Sequence, residues 1–204
     1  MRIGIDMDGV LADFNTAYIR LCREVTGRDL YPADYQPHTW NYPESLGYTS
    51  DEVGRTWKVI REDPTFWQNL GTYDTTYQDI YTLCLLIDAG HTIHFVTNRM
   101  GVDPKTQTER WLEKQRFFPI EDHTVLIAND KAVAAKALRL DAYIDDKWEN
   151  AVAVGALSEL EEEFSPLVKT YLFDRPWNQE NAEHTLPRHI TRVRSVTAAF
   201  RNLL

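Results

Sequence analysis

Only two cysteines, Cys22 and Cys84, occur among 204 residues. Both fall in stretches with helical spacing, and neither has the partner pattern of a catalytic thiol. Two reduced, buried thiols are expected, not a disulfide framework. Long apolar runs are also missing. The longest, Leu83-Cys84-Leu85-Leu86-Ile87, is far too short to cross a bilayer. Met1 opens directly into a strand, so no cationic and apolar leader is expected. Positive charge is scarce: 22 Lys and Arg stand against 31 Asp and Glu, for a net charge of −9. Such a balance argues against a protein that grips duplexes by neutralising phosphates. A small phosphorylated substrate stays open, because local cations can outweigh a diffuse acidic surface. Repeats and low-complexity segments are absent. The expectation is a soluble cytoplasmic protein that binds neither a nucleic-acid polymer nor a membrane.

What is present is enough apolar material for one domain, with 43% hydrophobic and 26% charged residues. The chain is organised around its start, Arg2-Ile3-Gly4-Ile5-Asp6-Met7-Asp8-Gly9-Val10-Leu11. A short apolar strand runs into two aspartates one residue apart, then into a glycine that lets the backbone turn. Two carboxylates at a strand end repel unless something cationic or protonated lies between them. An Asp-rich turn reads the same way locally, so the other strand ends decide the matter.

A helix is expected over 16–26, with Ala17, Leu21 and Val25 on one face and Gly27 as its stop. Residues 28–50 lose that period; Pro32, Pro37 and Pro43 punctuate a Tyr-rich stretch holding His38 and Trp40. Ser50-Asp51-Glu52 caps a second helix to about 62, and Asp63-Pro64 breaks it. The span 15–75 thus reads as an inserted helical cap on a core of 1–14 and 76–204. Its aromatics, among them Trp40, Trp57, Phe66 and Trp67, exceed what a connector needs, although each can equally serve packing. From 75 onward strands alternate with helices: strands at 92–96, 124–128, 141–144 and 169–173, helices at 75–89, 105–116, from 132 and after 147. An acidic run at 159–163 reads as a solvated helix face. A closing amphipathic helix is expected over 190–203. Strands spaced by helices of this length predict an α/β fold with a parallel sheet and helices on both faces.

The strong polar residues all sit just beyond apolar strands: Asp6 and Asp8, Thr97 and Asn98, Lys131, Asp145 and Asp146. In an open α/β sheet that edge binds ligands. A carboxylate such as Asp6 can attack phosphorus and split one hard displacement into two easier ones. Mg²⁺ takes oxygen ligands, which Asp145 and Asp146 can supply beside Asp6. Asp8 is placed to protonate a leaving oxygen and later to take a proton from water. Thr97 and Lys131 can hold phosphoryl oxygens as charge shifts onto them. Each has a bland alternative: Thr97 as a helix cap, Lys131 as a surface lysine, Asp145-Asp146 as a capping pair.

Asp6-Met7-Asp8-Gly9-Val10, Thr97, Lys131 and Asp145-Asp146 resemble, in order and context, the four motifs of the haloacid dehalogenase (HAD) superfamily of phosphotransferases. The resemblance implies a HAD-like Rossmannoid sheet, Asp6 as nucleophile and Asp8 as acid/base. It also implies Mg²⁺ held by Asp6, the Asp8 carbonyl and the later aspartate pair. Asp6–Phe14 (DMDGVLADF), Asn129–Lys131 before Ile144-Asp145-Asp146, and Leu172–Asn178 (LFDRPWN) further resemble the 5′(3′)-deoxyribonucleotidase family. That implies hydrolysis of deoxyribonucleoside monophosphates, with Phe14 and the cap aromatics Trp40 and Trp57 around the base. It leaves a homodimer open as the assembly. Two departures stand out. Asn98 and Arg99 replace the Ser and Pro that follow the motif-two threonine in vertebrate members, and Asn129 stands where those carry Arg. Arg99, beside Asn98, is then expected to supply the missing cation to the phosphate pocket. Competing readings are a HAD phosphatase for another small ester such as a sugar phosphate, and a catalytically silent nucleotide-binding module.

Overall fold

The computed structural model describes residues 1–32, 35, 37–39, 42–117, 123–160, 168–179 and 186–204. Its first elements are β1 (Arg2–Ile5), the two-residue β2 (Ala12–Asp13), α1 (Phe14–Thr26), α2 (Tyr42–Ser45), α3 (Ser50–Glu62) and the two-residue β3 (Gly71–Thr72). There follow α4 (Thr76–Asp88), β4 (Thr92–Thr97), α5 (Pro104–Lys114), β5 (His123–Ile127), α6 (Lys131–Leu138) and β6 (Ala142–Asp145). The chain closes with α7 (Trp148–Leu160), β7 (Lys169–Phe173), β8 (Ile190–Val193) and α8 (Val196–Phe200).

Six strands form one sheet in the order β5-β4-β1-β6-β7-β8, with every neighbouring pair parallel. The chain steps outward from β1 through β4 to β5, then returns across β1 and steps outward through β6. That reversal leaves a crevice at the carboxyl ends of β4, β1 and β6, the place where open α/β sheets bind ligands. Alternate strand residues face opposite layers. Phe95 and Ile144 join one core with Leu83 of α4, Trp111 of α5 and Phe200 of α8. Their neighbours Val96 and Tyr143 pack instead with Ala134 and Ala135 of α6 and Val154 of α7. Helices therefore cover both faces of the sheet. Gly4 is required in β1, because a Cβ there would lie 2.4 Å from Leu140 Cδ1 and 2.7 Å from Tyr143 Cδ2.

β2 and β3 pair antiparallel, with Ala12 opposite Thr72 and Asp13 opposite Gly71, so the chain leaves and re-enters the sheet region through one narrow ribbon. α1, α2 and α3 lie between them. α1 starts where the Asp13 carboxylate accepts from the Thr16 N–H at 3.1 Å, and stops at Gly27 with φ 67°. α3 opens on a reciprocal capping box between Thr49 and Glu52. Arg28 Nη1 closes the far side of Glu52 at 2.9 and 2.8 Å.

One sequence expectation fails at the C-terminal end. Instead of a helix over 190–203, Ile190–Val193 forms a sixth strand beside β7, and only Val196–Phe200 is α-helical. Ile190, Val193, Val196 and Phe200 recur at three- and four-residue intervals, which imitates a helical face. The β-branched run Ile190-Thr191 and pairing to the exposed edge of β7 prevail locally. Residues 161–163 of the acidic run lie outside the described residues. Both cysteines are free, Cys22 buried and Cys84 partly so. Among the described residues no helix is long and apolar enough to cross a membrane.

Candidate active site

Asp6 continues β1 by one residue, its N–H donating to the Ile144 carbonyl at 2.9 Å. The parallel register Ile5–Ile144 then sets Asp6 beside Asp145, the last residue of β6. Asp6, Asp145 and Asp146 are all buried and each offers a carboxylate oxygen within 4.8 Å of the others. Lys131 is the first residue of α6, where Asp130 caps the helix by accepting from the Val133 N–H at 2.9 Å. Its Nζ donates to Asp6 Oδ1 at 2.7 Å and to the Val96 carbonyl. Thr97 ends β4, and its hydroxyl donates to Asp8 Oδ2 at 3.3 Å. The structure thus brings Asp6, Asp8, Thr97, Lys131, Asp145 and Asp146 to one crevice.

Burial dominates the electrostatics. It pushes the Asp6 carboxyl up to about 7; Lys131 opposes this, while Asp145 and Asp8 add to it. Burial likewise raises Asp145, with Lys131 and the Tyr143 hydroxyl working against it. Asp146 is raised well above the usual carboxylate range, first by burial and then by the charges of Asp145 and Asp6. Three carboxylates this close ionise together only with positive charge beside them and otherwise keep a proton among them.

The donor set fits a divalent, oxygen-preferring ion. Lys131 pairs with Asp6 and Arg99 with Asp8, whereas Asp145 and Asp146 accept from neutral donors. Asp145 Oδ1 takes the Lys147 N–H at 2.8 Å, the Tyr143 hydroxyl binds Oδ2, and Asn150 Nδ2 reaches both oxygens at 3.2 and 3.1 Å. Asp146 Oδ2 accepts from Trp177 Nε1 at 2.7 Å. The Asp145 carboxylate is consequently engaged on both oxygens, whereas Asp146 accepts this indole bond on Oδ2.

A cavity of about 410 Å³ opens over this cluster. Asp6, Asp8, Thr97, Asn98, Lys131, Asp145 and Asp146 line its polar end, and Phe14, Trp57 and Trp67 its aromatic end. The Phe14 ring stacks on Trp57 and on Trp67, each at 5.7 Å between centroids. Asn98 is exposed at the rim and donates to Asn129 Oδ1 at 3.0 Å. Trp40 lies outside the described residues.

Arg99 departs from expectation. Its side chain is fully buried and does not line the cavity; it forks onto Asp8, with Nη2 at 2.8 Å from Oδ1 and Nε at 3.0 Å from Oδ2. A guanidinium committed in this way is not a cation in the phosphate pocket. Sequence reasoning also missed Trp177, Asn150 and Trp67 as parts of the site. Trp177 stands in the LFDRPWN string, which was the available signal. Asn150 has none, since its position on the first turns of α7 matters only once β6 is placed beside it.

The fold, a parallel sheet whose central strand carries an aspartate to an acidic cluster, is that of solved HAD-like hydrolases. One is a HAD-superfamily hydrolase of subfamily IA from Geobacter sulfurreducens (TM-score 0.56, 13% identity, covering 100% of this chain and 98% of that chain). Another is the magnesium-bound HAD-hydrolase YfnB from Bacillus subtilis (TM-score 0.55, 15% identity, covering 99% and 97%). Residues 1–184 match the family described as 5′ nucleotidase, deoxy (Pyrimidine), cytosolic type C protein, and the chain belongs to that family. "Putative nucleotidase BH1399" of Halalkalibacterium halodurans is 25% identical over 199 residues, covering 97% of this chain and 90% of that protein. The chain is a nucleotidase-family phosphatase on a HAD fold.

Proposed function

We propose that this protein is a Mg²⁺-dependent 5′-nucleotidase that hydrolyses deoxyribonucleoside monophosphates through an aspartyl-phosphate on Asp6. The observation that carries the reading is the meeting of Asp6, Asp145 and Asp146 within 4.8 Å, under a cavity of about 410 Å³ with an aromatic end. Asp6, the Asp8 carbonyl and Asp146 would hold the ion, with Asp145 behind them. Bound Mg²⁺ supplies positive charge that offsets repulsion between the attacking carboxylate and the phosphate.

In the first step an Asp6 carboxylate oxygen bonds to phosphorus as the bond to the nucleoside 5′-oxygen breaks, and Asp8 gives that oxygen its proton. In the second, Asp8 takes a proton from water, whose oxygen bonds to phosphorus while the bond to Asp6 breaks and phosphate leaves. Lys131, already 2.7 Å from Asp6, and the Thr97 hydroxyl stabilise charge on the phosphoryl oxygens. The segment 15–75 acts as a cap, and Phe14 with Trp57 offers faces on which a base stacks. Phosphate release across ribo- and deoxyribonucleoside monophosphates and sugar phosphates, with and without Mg²⁺, tests the reading. Metal-dependent release strongest with deoxynucleotides supports it; equal or better turnover of sugar phosphates overturns it.

A further inference from the structure

We infer that Arg99 is a positioning residue for Asp8, fixing the carboxylate that exchanges the proton with the leaving oxygen. The inference rests on the phosphatase reading of this site. Arg99 has three sets of contacts. Nε and Nη2 hold Asp8 at 3.0–3.2 and 2.8 Å, and Nη1 donates to Thr108 Oγ1 at 3.0 Å. The guanidinium carbon lies 5.2 Å from the centroid of the Trp67 ring. Thr108 is itself tied back to α5, its hydroxyl donating to the Pro104 carbonyl at 2.7 Å. Trp67 is pinned by its indole N–H on the Met100 carbonyl at 2.9 Å. The cation is therefore anchored to parts of the fold that do not belong to the loop carrying Asp8.

The Asp8 carboxylate is held from outside its own loop. Asp8 precedes Gly9, whose φ of +90° lies in the left-handed region, and no regular strand includes Asp8. Its side chain is 18% exposed toward the cavity, while that of Arg99 is 0% exposed. A planar fork matches both carboxylate oxygens at once and sets the plane of the group, which a single donor cannot do. Thr97 adds a donor to Oδ2 from the end of β4. Proton transfer demands hydrogen-bond reach to the leaving oxygen, and a misplacement of about 1 Å can cost about 10²-fold.

The test separates positioning from mere stability through the leaving group. An alkoxide, such as the nucleoside 5′-oxygen, needs a proton as it departs; p-nitrophenolate does not. Single-turnover release of nucleoside from a deoxynucleoside monophosphate and of p-nitrophenol from p-nitrophenyl phosphate is compared for wild type, Arg99→Lys and Thr108→Val. Arg99→Lys keeps the charge but loses the fork. The expected result is a loss for the nucleotide of about 10²-fold, the lower end of what a positioned acid contributes, with the aryl ester within about threefold of wild type. Thr108→Val, which only loosens the guanidinium, shows a smaller loss of the same selectivity. Equal losses on both esters, or no loss for Arg99→Lys, overturn the inference. If wild type releases nothing from nucleotides but turns over another alkyl phosphate, the nucleotidase reading falls, and the Arg99 comparison is read on that ester instead.

Discussion

Trp177 Nε1 donates to Asp146 Oδ2 at 2.7 Å, from a segment that also clamps the loop after β1. In that segment Asn178 Nδ2 bonds the carbonyls of Asp146 and Phe173 at 2.7 Å each, and Arg175 donates to the carbonyls of Gly9 and Val10. The segment after β7 thus holds both sides of the proposed ion site.

Outer partners of a metal ligand typically tune affinity by about 10–100-fold. Trp177→Phe keeps an aromatic ring, though a smaller one, and removes the donor. It is expected to weaken Mg²⁺ binding by at least about tenfold on that scale, read by calorimetric titration independently of turnover. Unchanged affinity would show that Asp146 needs no help from the indole.

Gly9 is constrained twice over. A Cβ there would stand 2.0 Å from Asp146 Oδ2, and its φ of +90° is strained for any L side chain. Gly9→Ala should cost about 1–3 kcal/mol of stability for the backbone alone and abolish metal binding by displacing Asp146. Urea denaturation together with calorimetry checks both effects.

Stability should respond to pH in a direction set by Asp6. Its carboxyl rises from 3.8 in the unfolded reference to about 7 in the fold, so between those values the native state binds more protons than the unfolded one. Stability of the metal-free protein therefore falls as pH rises through that window. Mg²⁺ needs the ionised carboxylate, so the Tm increment from saturating Mg²⁺ should grow from about pH 5 to pH 7.5. Scanning calorimetry at both pH values, with and without the ion, measures it; an increment independent of pH contradicts the electrostatic account.

Base stacking on the aromatic end has its own signature. Trp57 is half-buried and stacked on Phe14 at 23° between ring planes. Since a stacked base contributes about 1–3 kcal/mol, Trp57→Ala should raise KM for deoxynucleotides by about 5-fold or more while leaving deoxyribose 5-phosphate unchanged. Equal effects on both substrates would place the indole in packing only.

Much of this arrangement was legible in the sequence because its parts obey local rules. Apolar strands ended in Asp6, Thr97 and Asp145, and the α/β alternation placed those ends on one sheet edge. Helix punctuation was readable at Gly27 and Asp63, where capping chemistry is short-range, while the cap expected at Ser50 falls one residue earlier, at Thr49. The strand at 190–193 was not readable, because Ile190, Val193, Val196 and Phe200 are spaced as a helical face and only pairing to β7 overrides that pattern. Arg99 was misread for a related reason. A cation beside a motif looks available for phosphate until the tertiary structure shows Asp8, Thr108 and Trp67 enclosing it. Trp177 enters the site through a contact with Asp146, 31 positions away in the chain, and Asn150 through the turn from β6 into α7, five positions beyond Asp145.

The most direct test replaces the proposed nucleophile. Asp6→Asn preserves shape and an oxygen acceptor for Lys131 but removes the carboxylate that would bond to phosphorus and the counter-ion of a buried ammonium. Cooperative unfolding in calorimetry, at a lowered Tm, is therefore the check that the variant is folded. Phosphate release from deoxynucleoside monophosphates in saturating Mg²⁺ is predicted to vanish in this variant. Turnover at the wild-type rate by folded Asp6→Asn protein would contradict the aspartyl-phosphate route.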